Sequence, residues 1–365
     1  MKLNHKVDTI QVLRGIAAMM IFFFHNRNYV DAWVPNTSHF LINGISGVDL
    51  FFFISGFVLY ISYKGEKTLE FAIKRFFRVY IPAVIAILIT CLITSTAIIG
   101  NVDAYKSLLM IPIKNEGAPY LGYNILIVIW TLTYELYFYL LFTFAVLLTK
   151  LTRHLAINIC TLVISSVVGI QYFSSGSITL NPSLYIFEGY SFGIPKQIIS
   201  AAGNPIILEF IVGVVAGYLF KNFREHYSFS KRITSWIIFI LSSIFIIRFF
   251  GPYYGHGFTG AGLSSLLLFV AFLIWHRGIE LGYYSEPNKN LIYLGTISFS
   301  VYLMHIIVYK LYENTDPIKT IYNELQPGGA LVFSLILTFV ISCAFYHIIE
   351  NNCQKIGRKL SSLSK

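Results

Sequence analysis

The chain contains repeated apolar runs long enough to cross a bilayer as helices. A hydrocarbon core of about 30 Å requires about 20 apolar helical residues. Hydrophobic residues make up 56% of the chain and charged residues only 12%, against about 25% charged residues in a soluble domain. Inside lipid, backbone polar groups must be satisfied within the spanning segment, which favours helices. The sequence therefore predicts an all-α, polytopic membrane protein.

Ten transmembrane helices are predicted, in a single membrane-embedded domain that covers residues 1–365. No low-complexity tract or change of composition marks a second domain. Windows of about 19 residues place the spans near 10–28, 46–63, 79–100, 124–148, 155–173, 206–220, 233–250, 260–276, 291–311 and 330–350. Within the sixth span, Gly213 and Gly217 lie one turn apart, a spacing that allows close helix packing.

The basic residues predict the orientation of these spans. Most of the 27 Lys and Arg residues fall in alternate connections, together with Lys2 and Lys6 near the start and Lys365 at the end. Cytoplasmic loops carry an excess of Lys and Arg. We therefore expect both termini and the connection at 221–232 to be cytoplasmic, and the connection at 174–205 to be external. The expected location is the cell (inner or cytoplasmic) membrane, with the lipid bilayer as one partner.

Several common functional classes have no support in the sequence. The net charge of +10 is spread over short loops, whereas a nucleic-acid-binding protein concentrates its basic residues on one soluble face. The four cysteines show no spacing typical of metal ligands, and the GxSxG, P-loop and HExxH patterns are missing. We expect no nucleic-acid partner, no metal ion and no permanently bound cofactor.

Ionisable side chains inside the predicted spans are the candidate functional residues. A charge at the centre of a span costs about 2.5 to 3.5 kcal/mol on insertion scales, so each one calls for a reason. Such groups mark either substrate sites or structural ion pairs. In chain order they are Arg14 and His25 in the first span, Asp49 in the second, Glu135 in the fourth, Arg248 in the seventh and His305 in the ninth.

Arg14 and His25 are separated by about three helical turns and therefore share one helix face. With a cytoplasmic N-terminus, Arg14 lies toward the cytoplasm and His25 toward the outside. Histidine exchanges a proton near neutral pH, and arginine holds an anion. This face can therefore join an anionic cytoplasmic donor to an external acceptor. The alternative is structural, with Arg14 packed against a carboxylate such as Glu135 and His25 capped by backbone groups.

A second group of cations precedes the third predicted span. Arg75 and Arg78 lie on neighbouring helical positions, and Lys74 adds a third charge. Guanidinium groups match the geometry of phosphate oxygens, so the pair suits a phosphate-bearing ligand. Anchoring of the span by positive charge on the cytoplasmic side is the alternative.

Five blocks of the sequence extend in order over most of the chain. They are Arg14 with His25, residues 47–57 (GVDLFFFISGF), Arg75 with Arg78, residues 130–139 (WTLTYELYFY) and residues 297–305 (ISFSVYLMH). In these blocks and in their order, the chain resembles acyltransferase family 3, a family of membrane O-acyltransferases with ten helices that modify surface polysaccharides and other extracytoplasmic acceptors. At the family's glutamate after the last span, Glu350 is followed by Asn351 and Asn352 instead of a nearby proline, so its role stays open.

The resemblance implies transfer of an acyl group, commonly acetyl, from cytoplasmic acyl-CoA to a hydroxyl outside the cytoplasm. It implies that His25 activates the hydroxyl or carries the acyl group, and that Arg14 orients the donor or the histidine. Arg75 and Arg78 would bind the phosphates of coenzyme A, and Glu135 would be a buried partner. Asp49 and His305 receive supporting roles. The implied acceptor is a surface glycan or lipid-linked glycan such as O-antigen or exopolysaccharide.

Two other functions remain open at this point. Intramembrane ionisable groups also occur in transporters and flippases, here of a glycan or lipid-linked precursor, although the chain shows no convincing internal repeat of the kind transporters often have. Another type of membrane acyltransferase would use His305 as its base. That second alternative leaves Arg14 and His25 unexplained.

Overall fold

The computed structural model describes residues 7–191, 193–226 and 228–363. The basic residues Lys2, Lys6 and Lys365, which contribute to the predicted orientation, lie outside the described residues. All regular elements in the described ranges are helical, which confirms the predicted fold class. The α-helices are α1 (Asp8–His25), α2 (Arg27–Trp33), α3 (Ser38–Leu41), α4 (Ser46–Ser62), α5 (Thr68–Arg75), α6 (Ile81–Ile93), α7 (Val102–Leu108), α8 (Ile129–Thr152), α9 (Leu155–Ser175), α10 (Lys196–Gly203), α11 (Leu208–Phe223), α12 (Lys231–Phe249), α13 (Gly262–Glu280), α14 (Lys289–Thr296), α15 (Ser298–Asn314), α16 (Asp316–Glu324), α17 (Pro327–Phe345) and α18 (Asn351–Leu363).

Among the described residues, eight helices are long and apolar enough to cross a membrane, or nine if α14 and α15 form one span. The first predicted span corresponds to α1, which is not among them because Asp8, Gln11, Arg14 and His25 lower its mean hydropathy. Because eight or nine described helices can cross a membrane, the predicted membrane-spanning character of the chain is confirmed. The predicted cytoplasmic placement of both termini stays a prediction.

Several spans differ from their predicted bounds, and three of these differences change the description of the chain. The third begins at Thr68 and ends at Ile93 instead of covering 79–100, so Arg75 and Arg78 belong to the spanning helix itself. The ninth is bent by 64° between α14 and α15, next to Gly295 and Thr296, which are weak helix formers. The tenth continues through a π-helical segment, Tyr346–Glu350, into α18 and ends at Leu363.

The described parts of residues 1–28, 35–64 and 208–299 form a first compact unit. In this unit, α4 and α11 pack at glycines. A Cβ at Gly56 would lie 2.0 Å from the carbonyl oxygen of Phe210, and one at Gly213 would lie 2.1 Å from that of Phe53. Gly217 also approaches α4, beside Tyr60. The close packing predicted from the spacing of Gly213 and Gly217 is therefore confirmed.

The described parts of residues 29–34, 65–207 and 300–365 form a second compact unit. Its helices α5 and α8 meet through Phe71 and Phe142, whose stacked rings have centroids 4.8 Å apart. Helix α18 packs against the π-helical segment Phe76–Tyr80, where Gly357 faces the side chain of Phe77. Both units are built from separated stretches of sequence, so they are not consecutive domains. The prediction of a single membrane-embedded domain stays a prediction.

Candidate functional site

A buried carboxylate and a buried histidine are paired at one end of the first unit. Oδ2 of Asp49 lies 2.9 Å from Nδ1 of His256, and Oδ1 of Asp49 accepts a hydrogen bond of 2.7 Å from the backbone N–H of Gly257. Asp49 is 0% exposed and His256 3% exposed. A neutral imidazole donates from one nitrogen only. Asp49 therefore fixes the tautomer of His256 that carries the proton on Nδ1.

A second buried carboxyl group lies beside Asp49. Glu209, near the start of α11, is 0% exposed. It is near enough to Asp49 to interact with it directly. The backbone N–H of Gly257 and the ring of His256 both contact Asp49, and Glu209 adds a second carboxyl group to the same buried region.

Gly262 provides the space for Glu209. A Cβ at Gly262 would lie 2.2 Å from Oε1 of Glu209 and 2.7 Å from the backbone of Gly257. Any other residue at this position would displace the carboxyl group or the backbone that donates to Asp49. We name Asp49, Glu209 and His256 the carboxylate–histidine cluster.

His25 lies at the same end of the first unit as this cluster. The last turn of α1 packs against Gly44, where a Cβ would lie 3.0 Å from Cβ of Phe24. The next residue toward the N-terminus, Asn43, donates hydrogen bonds of 2.9 Å to the carbonyl oxygens of Phe249 and Gly251. These two bonds position the start of the loop that carries His256. His25 itself is half-buried and ends α1.

Arg14 occupies the N-terminal half of α1. It is half-buried, and its Nη1 donates a hydrogen bond of 3.2 Å to Oε1 of Gln11, three residues earlier. The single helix α1 contains both Arg14 and His25, so the helical spacing on which the predicted shared face depends is present. The roles of Arg14 and His25 stay predictions.

The second unit brings Arg75, Arg78, Glu135 and Tyr139 together. The hydroxyl of Tyr139 donates to Oε1 of Glu135, one turn away on α8. Arg75 and Arg78 both interact electrostatically with Tyr139, and Arg75 also interacts with Glu135. We name these four residues the arginine cluster. Glu135, predicted to be a buried partner, is half-buried.

The two arginines and Lys74 differ in their partners. Lys74 forms a salt bridge of 2.8 Å with Glu70, and the guanidinium of Arg75 lies over the ring of Phe71 at 5.3 Å. Arg78 is half-buried and forms no salt bridge with a described residue. The π-helical segment Phe76–Tyr80, which contains Arg78, lies just before Pro82. Because proline has no backbone N–H, the carbonyl of Arg78 four residues earlier receives no helical hydrogen bond from Pro82.

The remaining predicted residues have structural contacts. His305 is 2% exposed, and its Nδ1 lies 3.1 Å from the carbonyl oxygen of Val301 in the preceding turn. Arg248 stacks on Tyr254, with its guanidinium carbon 3.4 Å from the ring centroid. Glu350 is buried and accepts hydrogen bonds from Ser300 and Gln354 at 2.6 and 3.1 Å.

Two cluster residues are missing from the sequence-based candidates. Glu209 falls inside the predicted span 206–220, so the rule that selected Asp49 and Glu135 would also have selected it. His256 lies in a loop between spans, and nothing in its local sequence connects it to Asp49. Within the described ranges, no group of three or more His, Cys, Asp or Glu residues is arranged to hold a metal ion.

Comparison with known proteins identifies a family and a relative that the chain resembles. Residues 7–347 match the sequence profile of an acyltransferase domain, that of family 3. The chain is 25% identical over 328 residues to nodulation protein 10 of Rhizobium leguminosarum bv. viciae, and the alignment covers 82% of each protein. No solved structure matches the chain.

Proposed function

Because the chain belongs to acyltransferase family 3 and is a multi-pass membrane acyltransferase, we propose that it transfers an acetyl group from cytoplasmic acyl-CoA to a hydroxyl of an extracytoplasmic glycan. The observation that carries this proposal is the family match, which extends over residues 7–347 and so includes every predicted site residue. The proposed acceptor is a surface polysaccharide such as O-antigen or exopolysaccharide, or its lipid-linked precursor. The proposed location is the inner, or cytoplasmic, membrane of the cell.

The arginine cluster supports acyl-CoA as the donor. Coenzyme A is an anion with several phosphate groups, and guanidinium groups bind phosphate oxygens through paired hydrogen bonds. Arg78 is half-buried and lacks a carboxylate partner within the described ranges. A bound phosphate would supply the missing counter-charge. Arg75, which also interacts with Glu135, would orient the same ligand.

The residues that we propose for acyl transfer itself, His25 and Arg14, belong to the first unit. In the proposed function, His25 activates the acceptor hydroxyl or carries the acyl group, and Arg14 orients the donor or the histidine. In the orientation predicted from Lys and Arg, His25 lies at the external end of α1, on the side of the glycan. The bond between sulfur and the acyl carbon breaks, the hydroxyl oxygen bonds to that carbon, and the proton of the hydroxyl ends on the thiol of coenzyme A.

Mass spectrometry of surface polysaccharide tests this function. Polysaccharide should be compared from cells that express the protein and from cells of the same strain that lack it. We expect acetyl groups that are present only when the protein is expressed. Identical acetylation in both, at verified expression, would contradict transfer to a surface polysaccharide. Loss of the whole polysaccharide from the surface would instead indicate transport of a precursor.

A further inference from the structure

The carboxylate–histidine cluster has the arrangement of a base. An imidazole acts as a base through one nitrogen when a carboxylate holds the other nitrogen in its protonated form. Asp49 provides that carboxylate at 2.9 Å from Nδ1 of His256, and the N–H of Gly257 fixes Asp49 in turn at 2.7 Å. Nε2 is then the nitrogen of His256 that accepts a proton.

The position of the cluster relates His256 to His25. Both histidines lie at the end of the first unit where Gly44 meets Phe24 and Asn43 holds the loop of residues 251–261. If His25 carries the acyl group, its reacting nitrogen is blocked while the acceptor attacks, and it cannot take the proton of the acceptor hydroxyl at that moment. That step requires a second base.

We propose that His256 is this base, with Asp49 as its positioning residue, and that His25 carries the acyl group between donor and acceptor. The inference rests on the proposed function. In the first step, a nitrogen of His25 bonds to the acyl carbon, the bond from that carbon to sulfur breaks, and the ring proton of His25 passes to the thiolate. In the second step, the acceptor oxygen bonds to the acyl carbon and its proton moves to Nε2 of His256. The bond to His25 then breaks, and His256 returns the proton to the leaving imidazole.

The two steps can be measured separately, exchange on the purified full-length protein and transfer in membranes. Exchange of labelled coenzyme A into unlabelled acetyl-CoA reports the first step without any acceptor. Transfer is measured as radiolabel from acetyl-CoA that enters the polysaccharide fraction of membranes from the expressing cells. We expect His256→Ala and His256→Gln to retain exchange within about threefold and to lose transfer by about a hundredfold, the usual contribution of a general base. Asp49→Asn should give the same pattern as the His256 variants, with exchange retained and transfer lowered.

The controls separate a chemical role from a structural one. His39→Ala replaces an exposed histidine of the same unit and should leave both rates unchanged, whereas His25→Ala should abolish both. Equal loss of exchange and transfer in both His256 variants would overturn the inference, as would wild-type transfer by either variant. Transfer by the wild-type protein without any exchange would also overturn it and would leave the proposed function standing. Failure of the wild-type protein to transfer would instead refute the proposed function.

Discussion

Oγ of Ser300 donates a hydrogen bond of 2.6 Å to Oε2 of Glu350, and both residues are buried in the second unit. Removal of a donor from a buried carboxyl group costs about 1 to 3 kcal/mol. We therefore expect Ser300→Ala to lower the midpoint of thermal unfolding in detergent. Ser362→Ala, at an exposed serine near the end of α18, is the matched control and should have no effect. An unchanged midpoint for Ser300→Ala would show that this bond does not stabilise the fold.

Gly213→Ala should destabilise the first unit, because the new methyl group would lie 2.1 Å from the carbonyl oxygen of Phe53. Overpacking of this kind costs about 1 to 3 kcal/mol. Gly169→Ala is the control, since a Cβ at that helical glycine meets nothing within 4 Å, and there alanine should be neutral or slightly stabilising. The test is thermal unfolding of both purified variants. Equal stability of the two would contradict the tight contact between α4 and α11.

Replacement of Arg75 and Arg78 together by Gln should weaken binding of acetyl-CoA by at least about tenfold, because each hydrogen bond to a charged group contributes about 1.5 to 3 kcal/mol. Isothermal titration of the purified protein measures this affinity. The double variant of Lys150 and Arg153 to Gln, at exposed cations on α8 and just after it, is the control for general loss of positive charge. Unchanged affinity in the Arg75 and Arg78 variant would indicate that these residues anchor the span and do not bind acetyl-CoA.

The predicted orientation can be tested with single cysteines at Ser183 and Ser228, which are both exposed. The background is a variant in which Cys91, Cys160, Cys343 and Cys353 are replaced, since none of these four described cysteines forms a disulfide and each could react with the label. An impermeant maleimide should label Ser183→Cys in intact cells and Ser228→Cys only after permeabilisation. Labelling of Ser228→Cys from outside would reverse the orientation.

The spanning helices were predictable because lipid requires long apolar helices, and their sequence signal is local. Close helix packing at Gly213 and Gly217 was predictable for the same reason, since the glycine spacing specifies one helix face, but the identity of the partner helix α4 was not. The bend between α14 and α15 was not predicted, because an apolar run gives no information about the direction of the helix axis. The start of the third span at Thr68 was missed because the cations of residues 74–78 lower its hydropathy.

The site was only partly predictable. Arg75, Arg78 and Glu135 were selected as ionisable groups in or beside spans, and the structure adds Tyr139, whose hydroxyl joins Glu135 to the arginines. His256 was missed because its relation to Asp49 is made by tertiary packing. A contact between residues so far apart in the chain leaves no local pattern. Glu209 was visible to the same rule as Asp49 and should have been selected with it.

The most direct test of acyl transfer at α1 is the rate of transfer in membranes from cells that express His25→Ala or Arg14→Lys, matched for protein level with wild type. Radiolabel from acetyl-CoA that enters the polysaccharide fraction gives this rate. We expect His25→Ala to lower it to the background of cells that lack the protein. Arg14→Lys should also fail substantially, because an ammonium cannot reproduce the paired hydrogen bonds of a guanidinium. Near wild-type transfer by His25→Ala would contradict the account.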